Sequence, residues 1–237
     1  MKILSIECSA SPASCAIIDD GKLRAISFIN AKLTHSQTLM SMIIGTLDNS
    51  ATRLADIDRI AVAVGPGSFT GLRIGISAVK GLAAPTDIPC VAVSTLDGMA
   101  EGFADRDCVV CAVMDARCNQ FYNALFDISG GVITRLCEDR ALLGSELKDE
   151  LLKLNRNKDI IICGDGADLF YKTISEIEGV NLAPEHLKWQ NATGVGGYAY
   201  KNADTTDVIS AEKLLPVYLR LPQAERELKQ KTAKSEE

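Results

Sequence analysis

Short apolar runs and helical periodicities alternate along the first half of the chain. The segments that predict β-strands are short, apolar and bounded by turn residues: Lys2–Cys8, Ser14–Asp19, Leu23–Ile29, Ile60–Val64 and Cys90–Val93. Helical spacing predicts one helix from Thr34 or Ser36 to about Asn49, and a second from Leu72 to about Ala84. Three strands joined by hairpins, followed by alternating helix and strand, indicate a mixed sheet with helices on its faces.

The second half repeats part of this plan. Its strand-like segments are Cys108–Met114, Phe121–Phe126, Val132–Leu136 and Asp159–Cys163, with Gly130 and Gly131 as a hairpin turn. Helices are predicted over Ser145–Leu154 and Ala167–Glu178. We therefore expect two similar α/β domains, residues 1–105 and 106–222, followed by a charged tail at 223–237.

The segment Ile60–Gly75 joins a buried strand, a glycine turn and a helix start. Ser68 or Thr70 can cap this helix, and backbone N–H groups at such an entrance can bind an anion. The spacing matches neither a Walker loop, a dinucleotide fingerprint nor a nucleophile elbow. Two interpretations therefore remain, a phosphate-binding loop that uses Gly65 and Gly67 and a tight structural turn, and the spacing favours the turn.

Composition narrows the classes of function. The chain has 237 residues, of which 47% are hydrophobic and 24% charged, as in an ordinary soluble globular protein. Its net charge of −6 argues against a main docking surface for tRNA, so any contact with RNA is expected to be indirect. The opening residues do not form a secretory signal, and no apolar run is long enough to span a membrane. We therefore expect a cytoplasmic protein without a membrane partner.

The cysteines predict reduced core thiols rather than disulfides. Five of the eight lie within or beside strand-like apolar runs: Cys8, Cys15, Cys90, Cys111 and Cys163. Cys108 and Cys111 have the spacing of a redox or metal pair, but the valines between them predict a strand. Residues three apart on a strand point to opposite faces, so we expect no shared site for these two thiols.

Eight motifs, in the same order along the chain, resemble those of the bacterial TsaB (YeaZ) family. They are Ile6–Ser9, Thr34–Gln37, Val64–Gly75, Lys80–Ala83, Val93–Leu96, Met114–Arg117, Gly164–Gly166 and Pro216–Arg220. The run Gly-Pro-Gly-Ser-Phe-Thr-Gly at 65–71 is the most specific, and the motifs together span most of the chain. The resemblance implies an actin-like, Hsp70-like ATPase (ASKHA) fold of two ribonuclease-H-like mixed-sheet halves.

The resemblance also implies a role in making the tRNA base threonylcarbamoyladenosine (t6A), at the adenosine next to the anticodon. The implied partner is a TsaD-like catalytic subunit, bound as a heterodimer, with a TsaE-like ATPase reached through that complex. Alone, the chain is expected to form a homodimer through the same surface. On this hypothesis the chain is a non-catalytic scaffold that activates its partner, with no catalytic residue, cofactor or metal of its own.

The histidines are consistent with that expectation. Relatives of TsaD hold a metal with two histidines four residues apart on a helix, a spacing that places both rings on one face. Here His35 is followed at that spacing by Leu39, and the second histidine is the distant His186. We therefore expect His35 to be a capping or packing residue.

A competing hypothesis is an ATP-dependent small-molecule kinase or ATPase of the same fold. In nucleotide-binding members of the fold, the places of Glu7 and Ser9 carry an Asp and small hydroxyl residues near the phosphates. These two residues, with Gly65 and Gly67, are the weak candidates for a nucleotide site. Two further interpretations stay open for Asp115 and Arg117, a catalytic pair and a salt-bridged turn, and the turn is favoured.

Two predicted helices carry apolar arcs wider than one buried stripe requires. At about 100° per residue, the apolar residues from Leu39 to Leu47 cover roughly 200° of the first helix, and those after Gly71 span a similar arc of the second. A wholly internal core and a partner interface both fit this pattern, and the resemblance favours the interface. Gly71 and Gly75 would then admit a partner helix, and methionines suit a surface that repacks. The predicted contacts are Leu39, Met40, Met42, Ile43, Leu47, Gly71, Leu72, Gly75, Ile76 and Val79.

Overall fold

The first sheet is a three-stranded meander extended by two parallel strands. A computed structural model describes residues 1–154 and 157–220 of the chain. The elements of the first half are β1 (Lys2–Glu7), β2 (Ala13–Asp19), β3 (Lys22–Ile29), α1 (His35–Asn49), β4 (Arg59–Gly65), α2 (Phe69–Ala83), β5 (Cys90–Ser94) and α3 (Thr95–Glu101). The strand order is β3-β2-β1-β4-β5, with β2 antiparallel to its neighbours and β4 parallel to β1 and β5. Asp20 and Gly21, both at positive φ, turn the β2–β3 hairpin.

The second sheet begins with the same antiparallel hairpin arrangement. Its elements and the helices that follow are β6 (Cys108–Asp115), β7 (Gln120–Ser129), β8 (Val132–Arg135), β9 (Arg140–Leu143), α4 (Gly144–Lys153), β10 (Ile160–Cys163), α5 (Ala167–Tyr171), β11 (Val180–Leu182), α6 (Glu185–Lys188) and α7 (Ala192–Lys201). The strand order is β8-β7-β6-β10-β11, and β9 also pairs with β7. Gly130 and Gly131, at φ of 56° and 83°, form the predicted hairpin turn.

The two sheets therefore repeat one topology. Numbered within its own half, and with β9 left aside, each sheet has the strand order 3-2-1-4-5, with helices between its third, fourth and fifth strands. This order confirms the predicted α/β class of two ribonuclease-H-like mixed-sheet halves in an actin-like (ASKHA) fold. The helices α1 and α4 occupy equivalent places in the two halves, as do α2 and α5.

Apolar side chains cover both faces of each sheet. The face of the first sheet that carries α1 and α2 holds Ile6, Ile43 and Val79, all fully buried. In the second sheet, Cys108 and Cys111 belong to two different core clusters, which confirms that the two thiols point to opposite faces. All eight cysteines are unpaired thiols.

Two helices, α3 and α7, pack against each other where the halves meet. Helix α3, from the first half, packs on β6 and β7, whereas α7, from the second half, packs on β1, β2 and β4 of the first sheet. Gly194 of α7 lies so close to Gly98 of α3 that a Cβ on Gly194 would stand 1.8 Å from the Gly98 carbonyl oxygen. The predicted boundary at 105/106 separates the strands of the two sheets. However, α7 comes after that boundary in sequence and packs on the first sheet, so the division into domains stays a prediction. The predicted charged tail lies outside the described residues.

One predicted helix is wrong in length. The helix predicted over Ala167–Glu178 ends at Tyr171 and is followed by turns. There the N–H groups of Thr173, Ile174 and Ile177 bond three residues back, and the Thr173 hydroxyl also donates to the Phe170 carbonyl at 2.7 Å. A β-branched side chain that bonds to the backbone in this way competes with helix continuation.

Candidate functional site

A cleft of about 420 Å³ lies between the two halves, at the ends of β1 and β6. Ser9 and Ser11 come from the turn after β1, Ser68 from the glycine loop, and Asp115 and Asp165 from the second half. This is the place that the sequence analysis assigned to a nucleotide. Its lining is polar, with both hydroxyl groups and carboxylates.

Glu7 closes β1 immediately behind this cleft. Its side chain is fully buried, and one carboxylate oxygen accepts the backbone N–H of Ser9. Burial raises the pKa of Glu7 to about 7, against the opposing effect of the hydrogen bonds from Ser9. Asp165 behaves similarly, since burial raises its pKa to about 6 although Gln190 Nε2 donates to its carboxylate at 2.7 Å. Burial therefore shifts both carboxyl groups toward their protonated forms relative to free side chains.

The glycines of the 65–71 loop serve close internal contacts. A Cβ on Gly65 would stand 2.3 Å from the Val217 carbonyl oxygen, and one on Gly67 would stand 2.5 Å from that of Ser9. The Ser68 N–H donates to the same Ser9 oxygen at 2.7 Å, and the Ser68 hydroxyl caps α2 by accepting the Gly71 N–H. The loop is thus packed onto the turn after β1, as the structural-turn interpretation expects.

Asp115 and Arg117 form an ion pair at 3.5 Å across the turn between β6 and β7. Asp115 also accepts the Arg117 backbone N–H at 2.7 Å. Arg117 and the next two residues all have positive φ, of 66°, 54° and 55°, an uncommon conformation for non-glycine residues. This is the salt-bridged turn favoured by the sequence.

His35 lies at the start of α1, and its Nε2 is 2.8 Å from the Ala10 carbonyl oxygen, a packing contact of the expected kind. Leu39, one helical turn later, is buried in the core. Within the described ranges, no group of three or more His, Cys, Asp and Glu side chains is placed to hold a metal ion. No helix of the described residues is both long and apolar enough to cross a membrane.

Most of the predicted partner contacts face the sheet rather than the solvent. Eight are buried inside this chain: Leu39, Met42, Ile43, Gly71, Leu72, Gly75, Ile76 and Val79. The expectation that Gly71 and Gly75 admit a partner helix is wrong in geometry. A Cβ on Gly71 would stand 2.0 Å from the Cys8 carbonyl oxygen, and one on Gly75 would stand 3.3 Å from Cys8 Cβ. These glycines instead let α2 approach the end of β1 closely.

An accessible apolar face remains on the outside of α1 and α2, which pack against each other. On α1, Met40 and Ile44 are exposed at 42% and 55%, one helical turn apart. Four further apolar residues of the two helices are partly buried and pack against the core: Leu47, Ile74, Ala78 and Leu82. We call these six residues the α1–α2 face. Of the ten predicted contacts it retains Met40 and Leu47. It adds four residues that the two predicted apolar arcs include: Ile44, Ile74, Ala78 and Leu82.

Comparison with known proteins agrees with the motifs. The family model described as TsaD, tRNA N6-adenosine threonylcarbamoyltransferase, matches residues 29–227. The tRNA threonylcarbamoyladenosine biosynthesis protein TsaB of Bacillus subtilis is 29% identical to this chain, over 95% of this chain and 96% of its own length. The protein of the same name from Haemophilus influenzae is 34% identical, over 93% of this chain and 94% of its own length.

Among solved structures, YeaZ from Pseudomonas aeruginosa is similar to this chain with a TM-score of 0.77. The two sequences are 26% identical, and the match covers 92% of this chain and 99% of YeaZ. Sequence and architecture therefore agree over nearly the whole length, and the resemblance predicted from the eight motifs is confirmed. The chain belongs to the TsaB (YeaZ) family, within the wider family that the TsaD model describes.

Proposed function

We propose that this chain is a non-catalytic subunit in the formation of t6A on tRNA, and that it binds and activates a TsaD-like protein. Its relatives named for threonylcarbamoyladenosine biosynthesis support the pathway, and its match to the TsaD family model supports a common fold with the partner. The observation that carries the proposal is the α1–α2 face, an apolar surface on the outside of two adjacent helices.

The energetics of the face suit a stable complex. Met40 and Ile44 are exposed apolar side chains, and four partly buried apolar residues lie on the same two helices. Exposed apolar surface grouped in this way is typical of a protein interface. Burying an exposed isoleucine or methionine side chain contributes on the order of 1 kcal/mol. A two-helix surface also fits two helices of a homologous partner, because ridges of one pair can pack into grooves of the other. The same geometry allows a second copy of this chain to occupy the face when the partner is absent.

A non-catalytic role agrees with how the cleft residues are used. The Glu7 carboxylate accepts a hydrogen bond from the backbone of Ser9, and neighbouring backbone atoms occupy the space beside Gly65 and Gly67. The cleft lining carries the carboxyl groups of Asp115 and Asp165, and its cation Arg117 is already paired with Asp115, so this lining offers little to a phosphate. The chain would act instead by binding the conformation of its partner in which the partner's catalytic groups are correctly arranged.

The remaining contacts follow from that arrangement. A TsaE-like ATPase would join through the complex rather than through this chain alone. With a net charge of −6, the chain is poorly suited to hold tRNA by itself, so tRNA would be bound mainly by the partner.

Light scattering after size exclusion tests the proposal directly. The chain, the TsaD-like protein of the same organism, and an equimolar mixture are compared at micromolar concentration. A new peak with the mass of a heteromer supports the proposal. Two unchanged peaks, with each protein retaining its own mass, contradict it.

The kinase or ATPase hypothesis is the second candidate, because the polar cleft between the halves has about 420 Å³ available. A ligand at a hundred times its dissociation constant stabilises a protein by about 2.7 kcal/mol. Millimolar ATP with Mg²⁺ should therefore raise the melting temperature by several degrees if a nucleotide binds there. We expect no shift for this chain, and a shift that Ser9→Ala removes would favour the enzyme.

A further inference from the structure

Phe69, Arg73 and Tyr218 form a stacked cluster at the start of α2. The rings of Phe69 and Tyr218 stack with their centroids 4.4 Å apart. The guanidinium carbon of Arg73 lies 5.9 Å from the Phe69 centroid and 5.6 Å from the Tyr218 centroid. Arg73 Nε also donates to the Tyr218 hydroxyl at 2.8 Å. These contacts fix the orientation of a guanidinium group whose residue is exposed to solvent.

The terminal nitrogens of Arg73 are available to a ligand. Tyr218 uses Nε, and within residues 1–154 and 157–220 no carboxylate forms an ion pair with this guanidinium. An arginine fork suits a carboxylate, which it binds through two parallel hydrogen bonds. Because stacking already holds the group in place, little side-chain entropy remains to be lost on binding.

An open groove of about 470 Å³ runs beside this cluster, between α2 and residues 214–218. We call residues 214–218 the strap. The strap is fixed to the first sheet, since the Val217 N–H donates to the Val64 carbonyl at 2.8 Å. Leu215, on the strap, is 66% exposed, and Lys80 on the α2 side donates to the backbone carbonyl of Glu212 at 3.2 Å. The groove is therefore lined by two cations, Arg73 and Lys80, and by exposed apolar side chains.

The groove and the α1–α2 face use neighbouring rows of residues on α2. Arg73, Ser77 and Gly81 follow one another at four-residue spacing and form an exposed row on α2. Ile74 and Ala78, each one residue later along the helix, belong to the α1–α2 face and lie in the neighbouring row. A protein that covers the face would therefore reach Arg73 at its edge.

Protein fits this groove better than RNA does. Exposed leucine and valine side chains of the strap favour an apolar partner, whereas two cations are few for a phosphate backbone and the whole chain carries a charge of −6. Tyrosine and arginine are also the residues that most often dominate the energy of protein interfaces.

We propose that Arg73 is the binding site, which we call the socket, for a carboxylate group of the partner subunit. An Asp or Glu side chain of the TsaD-like protein forms a bidentate ion pair with the two terminal nitrogens of Arg73, while apolar residues beside it cover Leu215 and Tyr218. This inference rests on the proposed function and adds to it a specific polar contact at the edge of an apolar interface.

The test is a titration of the TsaD-like protein with full-length variants at position 73. Relative to wild type, we expect Arg73→Lys to bind about 5-fold more weakly, Arg73→Gln about 30-fold and Arg73→Glu more than 100-fold, because charge and fork geometry are lost in turn. Tyr218→Phe removes only the hydroxyl that orients Arg73, and should weaken binding about 3-fold. Lys172→Gln, at an exposed cation beside α5, is the matched control and should leave binding unchanged.

Other results overturn the inference. If Arg73→Lys, Arg73→Gln and Arg73→Glu all weaken binding equally, the charge at position 73 has no effect and the side chain contributes only packing. If all three bind like wild type while Ile44→Asp does not bind, the socket is wrong and the proposed function stands. If wild type itself does not bind, both are wrong.

Two other sources of an anion are tested in the same experiment. If Arg73→Gln ceases to matter in a chain that also carries Glu225→Gln and Glu227→Gln, the socket belongs to the chain's own C-terminal segment. If tRNA alone binds the chain and Arg73→Gln abolishes that binding, the ligand is a phosphate. Either result contradicts binding of a partner carboxylate. If Arg73→Gln has the same effect with and without the Glu225 and Glu227 substitutions, and tRNA alone does not bind through Arg73, the partner carboxylate is supported.

Discussion

The helices α1 and α4 occupy the same place in two copies of one topology, yet their outer surfaces differ. From Ser36 to Leu47, α1 has no charged residue. Five of the ten residues of α4 are charged: Glu146, Lys148, Asp149, Glu150 and Lys153. Glu150 forms an ion pair with Arg140 of β9 at 2.7 Å, and Lys148 forms one with Glu176, in the turns after α5, at 2.6 Å.

This difference separates what the fold requires from what a partner requires. Both helices bury a leucine or isoleucine stripe on their sheet, so the inner faces satisfy the same demand. The outer face of α4 has the ion pairs typical of a solvent-exposed helix, whereas that of α1 has apolar side chains that gain by being covered. We infer that the apolar outer surface of the first half is an adaptation to binding rather than a property of the repeat.

The largest expected effect is on binding of the TsaD-like subunit. Ile44 on α1 and Leu152 on α4 are each 55% exposed, so they form a matched pair in the two halves. Ile44→Asp should weaken the complex by about 100-fold or more, because it places a charge in the centre of an apolar interface. Leu152→Asp should change the affinity by less than about 2-fold. Calorimetric titration measures both, and equal effects of the two substitutions would remove the distinction between the helices.

The second prediction concerns a glycine that both halves share. Gly71 at the start of α2 and Gly166 at the start of α5 each meet the end of the first strand of their own sheet. Gly71→Ala should lower the free energy of unfolding by about 3 kcal/mol, because its Cβ would stand 2.0 Å from backbone that cannot move aside. Gly166→Ala, with a contact at 2.9 Å, should lower it less. Urea unfolding measures the difference. A Gly71→Ala protein as stable as wild type would show that α2 does not approach the Cys8 carbonyl closely.

The third prediction uses the two acidic strand ends, Glu7 of β1 and Asp115 of β6. The folded pKa of Glu7, about 7, exceeds its unfolded value, so the folded state binds more protons between about pH 4.5 and 7. The stability due to this group is therefore present at low pH and is lost as the pH rises through 7. Between pH 4.5 and 8, the free energy of unfolding of wild type should therefore fall by about 3 kcal/mol because of this group, and Glu7→Gln should lack that fall.

Asp115→Asn is the control for this pH dependence. Asp115 is partly exposed and paired with Arg117, outside the buried site of Glu7, so Asp115→Asn should keep the Glu7-dependent loss of stability. Thermal unfolding from pH 4.5 to 8 distinguishes the two variants. A wild-type profile in Glu7→Gln would mean that the Glu7 carboxyl group is hydrated in the folded protein.

The smallest expected effect is a gain in stability on the outer row of α2. A Cβ on Gly81 would have no neighbouring atom within 4 Å, and no positive φ favours glycine there. Gly81→Ala should therefore raise the free energy of unfolding by about 0.5 to 1 kcal/mol, the difference in helix propensity. A loss of stability in urea unfolding would show that the row is not open to solvent in this chain.

The regular parts of the fold were predictable because local pattern and tertiary packing agree there. The strands β1, β2, β4 and β6 are apolar on both faces, and α1 and α2 have helical periodicity with turn residues before them. Helix α7 was missed because three glycines in ten residues oppose a helix locally. Those glycines allow close contacts with α3, β1 and β2, which outweigh propensity. Asn191, whose side chain accepts from the Thr193 and Gly194 N–H groups, was the available signal.

The site was only partly predictable, for a related reason. The width of an apolar arc indicates that a helix has more than one covered side, but it does not tell which residue faces the sheet. Ile44 lies within the predicted arc, but its outward orientation came only from the packing, as did the internal role of Gly71. In the Phe69–Arg73–Tyr218 cluster, Arg73 and Tyr218 are 145 positions apart in the sequence, so no local pattern predicts their contact.

The most direct test of the account is the rate of t6A formation by the TsaD-like protein as this chain is titrated in. The assay contains tRNA, threonylcarbamoyl-AMP and the TsaE-like ATPase, and compares wild type with Ile44→Asp. The account predicts that activity depends on the chain, and that Ile44→Asp needs about 100-fold more protein yet reaches the same plateau, because it impairs binding and not chemistry. Full activity without the chain, or a lowered plateau in a variant shown to be bound, would contradict a scaffold that acts through the α1–α2 face.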